Sequence, residues 1–347
     1  MELLFPQSRP TKWLASLTAS RKNRTDIISY NENALLFCYD LAVCPDTFDF
    51  IEYMTQAEIY RRKKKLTHID LLIVQSSSKS IIPELDYLTN YIPEHQRVFK
   101  VHEVIFGSCR LMPTIRNILF MDRMNAIRQV VDYKNTYPEN YHPYNVVRQG
   151  FRPPESPEAF FPMLVVPETA KRLVGEYLQR FQPKKIVTIT LREHNYIPER
   201  NSNIEQWLRF ADSVSDEYQI IFIPDAYNYS SPYREKIKEF EVLDTACWNI
   251  PIRAAIYEAS WMNLGVVAGP LMVSLYLEKA NTLFFYNIYS YPESYRKDIQ
   301  NYYGDKEGEK RPYLRFNNHY VFMEDDFDNI SSEFKKLNQK LVNNLSG

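Results

Sequence analysis

Arg192 directly follows the apolar run KIVTITL (residues 185–191), and Gly269-Pro270 directly follow a second run, LGVVA (264–268). The first juxtaposition puts a planar, five-donor cation at the end of a strand; the second puts a turn and a helix start at the end of another. Repeated strand-then-helix order through residues 185–286 describes a parallel sheet, whose ligands sit outside the carboxyl ends of its strands. An arginine fork and a helix N-terminus facing one crevice suit a diphosphate. Each residue also has a plainer reading. Gly269-Pro270 suit a simple strand-to-helix turn, because proline is favoured at the first helical position. Arg192 and Arg200 suit surface cations paired with Glu193 and Glu199.

The elements that would position these residues follow from the pattern of apolar runs. In the second half, strands are expected at YQIIFIP (218–224, ending at Asp225) and TLFFYN (282–287), with a helix over IRAAIYEASWMN (252–263). In the first half, ALLFCYDLAV (34–43) reads as a strand, residues 48–65 as a helix capped at Asp46 or Thr47, and HIDLLIVQ (68–75) as the next strand. On that helix Phe50, Met54, Ala57 and Ile59 or Tyr60 form one apolar stripe. Residues 97–107 suggest a further strand, 113–131 a helix and 145–149 a short strand. A proline-rich stretch at 150–167 reads as the boundary between two domains, residues 1–160 and 161–324, and a helix is expected from Glu168 to Phe181. The tail 325–347 reads as an amphipathic helix with Phe327, Ile330, Phe334, Leu337 and Leu341 on one face, packing back across both domains. The expected fold class is α/β, with two Rossmann-like parallel-sheet domains facing a cleft.

Composition narrows the function. With 347 residues and 45% hydrophobic content, the chain can build real cores, and a net charge of -1 gives no pull toward nucleic acid. Only 8 glycines are present, and neither GxGxxG nor GxxxxGK[ST] occurs. Cys38, Cys44, Cys109 and Cys247 are scattered without a CxxC pair, which reads as reduced thiols in a cytoplasmic protein. The N-terminus is too short and polar for a signal peptide, and no apolar run approaches a membrane span.

Other motifs carry less. Asp326-Phe327-Asp328 is formally a DxD, yet acids at the start of an amphipathic helix cap it and favour its dipole. The six histidines show no ligand spacing, so no metal is expected; His194, beside Arg192, is the one worth following. The run Arg61-Arg62-Lys63-Lys64-Lys65 complements a helix C-terminus, the alternative being contact with anionic lipid or a lipid-linked acceptor.

Over roughly residues 183–290 the chain resembles the nucleotide-binding domain of GT-B glycosyltransferases, above all the heptosyltransferase-like and fucosyltransferase-like inverting groups. The resemblance rests on Ile252-Arg253-Ala254-Ala255, Glu258-Ala259 and the stretch from Gly265 to Pro270. In those families a similar helix, strand and small-residue turn hold the donor's ribose and diphosphate, and Arg192 resembles an arginine that grips the diphosphate. The acidic or hydroxyl residue that often precedes the glycine is Ala268 here. The segment from Cys44 to Phe50, with Ala57-Glu58 and Arg61-Arg62, is similar to GT-B-like proteins of surface-polysaccharide loci.

The resemblance implies a sugar transfer from a nucleotide-sugar donor to a glycan or lipid-linked acceptor. No further cofactor is expected, and the protein would be cytoplasmic or peripheral to the inner face of the membrane. Donor binding falls to Arg192, Arg200, Gly269, Pro270 and Leu271. Glu258 would accept from a ribose hydroxyl, unless it is only an exposed helical glutamate. Trp248 and Asn249 would bracket and read a base, unless Trp248 is a core residue. The base that deprotonates the acceptor would come from the N-terminal domain, where Asp49 and Asp40 flank the loop after the first strand. Carboxylates there are stabilising at a helix start in any case. Two further readings stand beside this one: a GT-B-fold epimerase or hydrolase acting on the nucleotide sugar, and a non-catalytic two-domain binding protein.

Overall fold

In the computed structural model, the described residues are 32–75, 94–145, 164–195, 197–225, 232–287, 291, 293, 297, 315 and 317–345. They form two parallel sheets. The first comprises β1 (Ala34–Asp40), β2 (His68–Val74), β3 (Ile115–Met121) and β4 (Thr136–Tyr137), in the order β3-β2-β1-β4. The second contains β5 (Lys185–Thr190), β6 (Tyr218–Ile223), β7 (Glu241–Val242), β8 (Met262–Val266), β9 (Thr282–Phe285) and β10 (Asn318–Val321). Its order, β10-β9-β8-β5-β6-β7, is that of a dinucleotide-binding sheet, and the direction of winding reverses between β5 and β8. Ligands of such sheets bind at that switch point, outside the carboxyl ends of the strands.

Helices cover both sheets: α1 (Asp49–Lys63), α2 (Glu94–Lys100, a π-helical Val101–Phe106, then Gly107–Cys109), α3 (Arg123–Val131), α4 (Glu168–Leu178), α5 (Ile204–Val214), α6 (Ile250–Ala259), the single turn α7 (Gly269–Met272) and α8 (Phe327–Leu345). Central strands are apolar without a break because both faces are covered. On β1, Leu35, Phe37 and Tyr39 point into one core while Leu36 and Cys38 point into another. The larger core does not stop at the domain border. It joins Phe37, Phe48 and Phe50 of the first half to Ala254, Tyr257, Leu271 and Tyr276 of the second. Backbone links reinforce it: Val165 donates to the Leu111 carbonyl (2.8 Å), and Leu164 donates to that of Tyr276 (3.2 Å).

Three expectations need correction. Residues 97–107 are helical, because Val101, Val104, Ile105, Ser108 and Cys109 face the core at helical spacing. Residues 113–131 divide into edge strand β3 and helix α3, with Asp122 capping the latter through the Asn125 amide (2.9 Å). Helix α8 lays Ile330, Phe334, Leu337 and Leu341 on the second sheet and α5, so its buried face serves one domain rather than both. The strand expected at 145–149 and the boundary within 150–167 fall almost wholly outside the described residues.

Candidate functional site

The carboxyl ends of β1, β5, β6 and β8 meet at the junction of the two domains. The polar loop after β5 is drawn across this end by its own arginines. Arg192 is buried; its amide donates to Ser202 Oγ (2.9 Å), and its Nη1 donates to the Ile197 carbonyl (3.2 Å) and to Asn201 Oδ1. Arg200 Nη2 reaches the Val267 carbonyl just past β8 (3.3 Å), and its guanidinium lies 5.6 Å from the Tyr291 ring centre. Arg192 therefore has a local task, fastening the loop. The backbone around it is tied down as well: the Glu193 amide donates to Asp225 Oδ2 (3.1 Å), and the Glu199 carbonyl accepts from Asn287 (3.4 Å).

Titratable groups from both domains converge beside that loop. Lys100, on α2, is buried, and burial pushes its amine down to about 8 against the opposing pull of Asp46, Asp225 and Asp49. His194 is pushed down to about 4, first by burial and then by the positive charge of Lys100, with Asp225 pulling the other way. Asp46 is itself buried and ion-paired with Arg97 (2.9 Å). A buried amine, an imidazole and three carboxylates thus influence one another here, and these are residue types able to give and take protons. Sequence reasoning noted Asp225 and Asp46 only as a strand end and a cap, and it missed Lys100, because nothing local marks residues that meet only when two domains pack.

The two expected base residues part company. Asp49 opens α1, its amide donating to Thr47 Oγ1 (3.4 Å), and contributes to the field around Lys100. Asp40 is saturated. Arg123 grips both its oxygens (2.7 and 2.9 Å), Tyr141 donates at 2.6 Å and the Ala42 amide at 3.0 Å. A carboxylate offers about four acceptor positions, so four donors leave no lone pair for a substrate proton. Asp40 is scaffold.

The donor-side residues are equally divided. At α7, Leu271 and Met272 both donate to the Ala268 carbonyl and Pro270 has no N–H, so Gly269 alone has an amide to offer. Phe48, from the other domain, rests on that glycine: a Cβ there would meet Phe48 Cβ at 2.8 Å. Leu271 is wholly buried core. Asn249 caps α6 through the Ile252 amide (3.1 Å), which occupies its side-chain oxygen. Trp248 is 40% exposed, which removes the core reading and leaves an accessible ring. Glu258 faces away from the crevice into a separate groove with Lys171, Glu278 and Lys279. Burial pushes its carboxyl up, and Lys171 and Lys279 pull it down.

One residue at the switch point went unassigned in the sequence. Arg253 is fully buried, and its Nη1 donates to the Tyr257 hydroxyl (2.9 Å). That hydroxyl also lies 2.8 Å from Thr190 Oγ1, at the end of β5, and 3.4 Å from the Pro270 carbonyl, after β8. Among the described residues, Arg253 Nε and Nη2 have no hydrogen-bond partner. The available signals were an arginine within an apolar helical run and its place in the stretch that carries the resemblance.

Elsewhere the charged motifs are spent locally. Arg61 and Arg62 both close on buried Glu58 (2.7 and 2.8 Å), and Lys64 lies 3.4 Å from Glu139. Asp326 caps α8 through the Asn329 amide (2.8 Å). Among the described residues, no group of three or more His, Cys, Asp or Glu is arranged to hold a metal, and no helix is long and apolar enough to cross a membrane.

No protein-family model and no curated protein matches the sequence. Solved structures do. The chain is similar to the glycosyl transferase family 9 protein from Veillonella parvula DSM 2008, at 10% identity and a TM-score of 0.51, over 87% of this chain and 89% of that one. It is also similar to ADP-heptose lps heptosyltransferase II of E. coli, at 10% identity and a TM-score of 0.50, over 88% of this chain and 98% of that one. At such identity the likeness is one of fold. The two parallel-sheet domains form a GT-B architecture.

Proposed function

We propose that the protein is a glycosyltransferase, moving a sugar from a nucleotide-sugar donor to a hydroxyl of a glycan or lipid-linked acceptor in surface polysaccharide synthesis. One observation carries this reading. Ionisable groups from both domains of a GT-B fold, Asp46, Asp49 and Lys100 from one and His194 and Asp225 from the other, converge where strand ends of both sheets meet. The nucleotide would lie on the second domain at the β5/β8 switch point, beside the loop held by Arg192 and Arg200. The acceptor oxygen attacks the anomeric carbon with inversion, and the bond from that carbon to the diphosphate oxygen breaks. Asp49 takes the acceptor's proton, while the neighbouring cations stabilise the departing diphosphate. In this scheme the cations do the work of a metal, so turnover is expected to survive chelation by EDTA.

Thermal-shift titration with a panel of nucleoside diphosphates tests the proposal, followed by product analysis with the matching nucleotide sugar. Stabilisation by one nucleoside diphosphate and sugar transfer to an added acceptor are expected; no stabilisation by any of them would remove the reading. A second reading, a nucleotide-sugar epimerase or hydrolase, is favoured by the placing of His194 near Asp225, since such chemistry needs acids and an imidazole at the cleft. Free sugar or an epimerised nucleotide sugar, formed at full rate without acceptor, would select it.

A further inference from the structure

Arg253 combines complete burial with a deficit of partners. Its guanidinium stays charged at any physiological pH, and buried charges in proteins are paired. Four buried carboxylates of the molecule are paired in this way: Asp40 with Arg123, Asp46 with Arg97, Asp70 with Arg116 and Glu58 with Arg61. Arg253 has the Tyr257 hydroxyl, and among the described residues no carboxylate lies within ion-pairing distance. The aromatic contacts it does make, with the Phe48 and Tyr257 ring centres each at 6.0 Å, are weak replacements for an anion.

Its place is as telling as its deficit. Tyr257 ties it to Thr190 at the end of β5 and to Pro270 after β8, the two sides of the switch point. Against it lies one aromatic side chain of the other domain. The Phe48 ring lies against Arg253 on one side and against Gly269 on the other, where its Cβ, Cγ and Cδ2 would stand 2.8 to 3.3 Å from an added Cβ. Phe48 thus fills the space between a buried arginine fork and a residue with no side chain.

We infer that Arg253 is the diphosphate ligand of this crevice and that Phe48 is its cover, displaced when the anion enters. A diphosphate presents paired oxygens to the donors that Arg253 leaves unmatched. The inference rests on the donor reading above and deepens it by naming the contact. It also ties the two domains together, because Phe48 is the residue immediately before Asp49.

The test is calorimetric titration of the full-length protein with nucleoside diphosphates and, separately, inorganic pyrophosphate. Wild type, Arg253→Met, Arg253→Lys and Phe48→Ala are compared. Arg253→Met should bind the preferred nucleoside diphosphate roughly ten- to a hundredfold more weakly. Its own melting temperature should not fall, since a buried unpaired cation has been replaced by an apolar chain. Pyrophosphate should follow the same order, which separates recognition of the diphosphate from recognition of the nucleoside. Phe48→Ala should bind more tightly. If wild type binds a nucleoside diphosphate and Arg253→Met binds it equally well, the inference is wrong and the donor reading stands. If wild type binds none, the donor reading fails and the inference with it. Should Arg253→Met not fold, Arg253→Lys decides: a roughly tenfold loss supports the bidentate fork, and unchanged affinity overturns it.

Discussion

Asp40 and Arg253 are both buried ions near the carboxyl ends of their sheets, yet they are solvated by protein in opposite ways. Asp40 receives four hydrogen bonds, two from Arg123 and one each from Tyr141 and Ala42. Arg253 receives the attention of a tyrosine hydroxyl and two aromatic rings. The first is closed to any ligand, and the second is incomplete without one. Burial of a charge is therefore not itself a mark of function in this molecule; the balance of partners is.

The sharpest way to break this contrast is to change Asp49 and the partner of Asp40 separately. Asp49→Asn keeps shape but cannot accept a proton, so turnover should fall ~10²–10⁴-fold with donor affinity nearly unchanged. Steady-state rates equal to wild type would make Asp49 a helix-start residue only. The scaffold side is tested through Arg123→Met, which strands Asp40 in the interior. A loss of about 3–5 kcal/mol in urea unfolding is expected, as for a buried pair deprived of one member. A loss below ~1 kcal/mol would show that Asp40 does not depend on it.

A smaller effect probes the seam between the domains. Gly269→Ala places a methyl 2.8 Å from Phe48 Cβ, an atom too close to the backbone to swing aside. Overpacking of this kind costs about 1–3 kcal/mol, read as a lowered urea midpoint. An unchanged midpoint would show that Phe48 already yields freely.

The smallest expected effect is in pH dependence. The unfolded chain binds a proton at histidine near 6.5, whereas folded His194 binds one only near 4. Between those values the unfolded state holds more protons, so this group adds stability as pH rises and withdraws it as pH falls toward 4. Asp325 works in the opposite sense: burial raises its carboxyl to about 6, and the stability it confers is lost as pH rises through that value. His194→Gln should therefore flatten the rise in stability between about pH 4 and 6.5 relative to wild type. An identical pH profile in the variant would place His194 outside the buried cluster.

The second sheet was legible because parallel strands buried on both faces are written as unbroken apolar runs. KIVTITL, YQIIFIP, LGVVA and TLFFYN all lie on strands of that sheet. The region from 97 to 131 was misread for the same physical reason in reverse. Val98, Val101, Val104 and Ile105 suggest a strand, while the spacing of Val101, Val104 and Ile105 serves a buried helix face and Val98 stays exposed. Residues 115–121 become a strand only because β2 is there to pair with them. Arg192 was visible as a strand-end arginine, but its partners Ile197 and Asn201 lie in a loop whose shape no periodicity reports. Arg253 was read as part of a helix and of the stretch that carries the resemblance, without a role of its own. Its burial comes partly from Phe48, in the other domain, and the contact exists only in the folded chain.

The decisive measurement is where a nucleoside diphosphate binds, read from a crystal structure of this chain soaked with the diphosphate that stabilises it most. The diphosphate is expected at the β5/β8 switch point, its oxygens on Arg253 and the Phe48 ring turned away from Gly269, with Lys100 and Asp49 facing the same crevice. A diphosphate bound elsewhere, with Phe48 still seated on Gly269 and Arg253 still covered, would contradict that expectation.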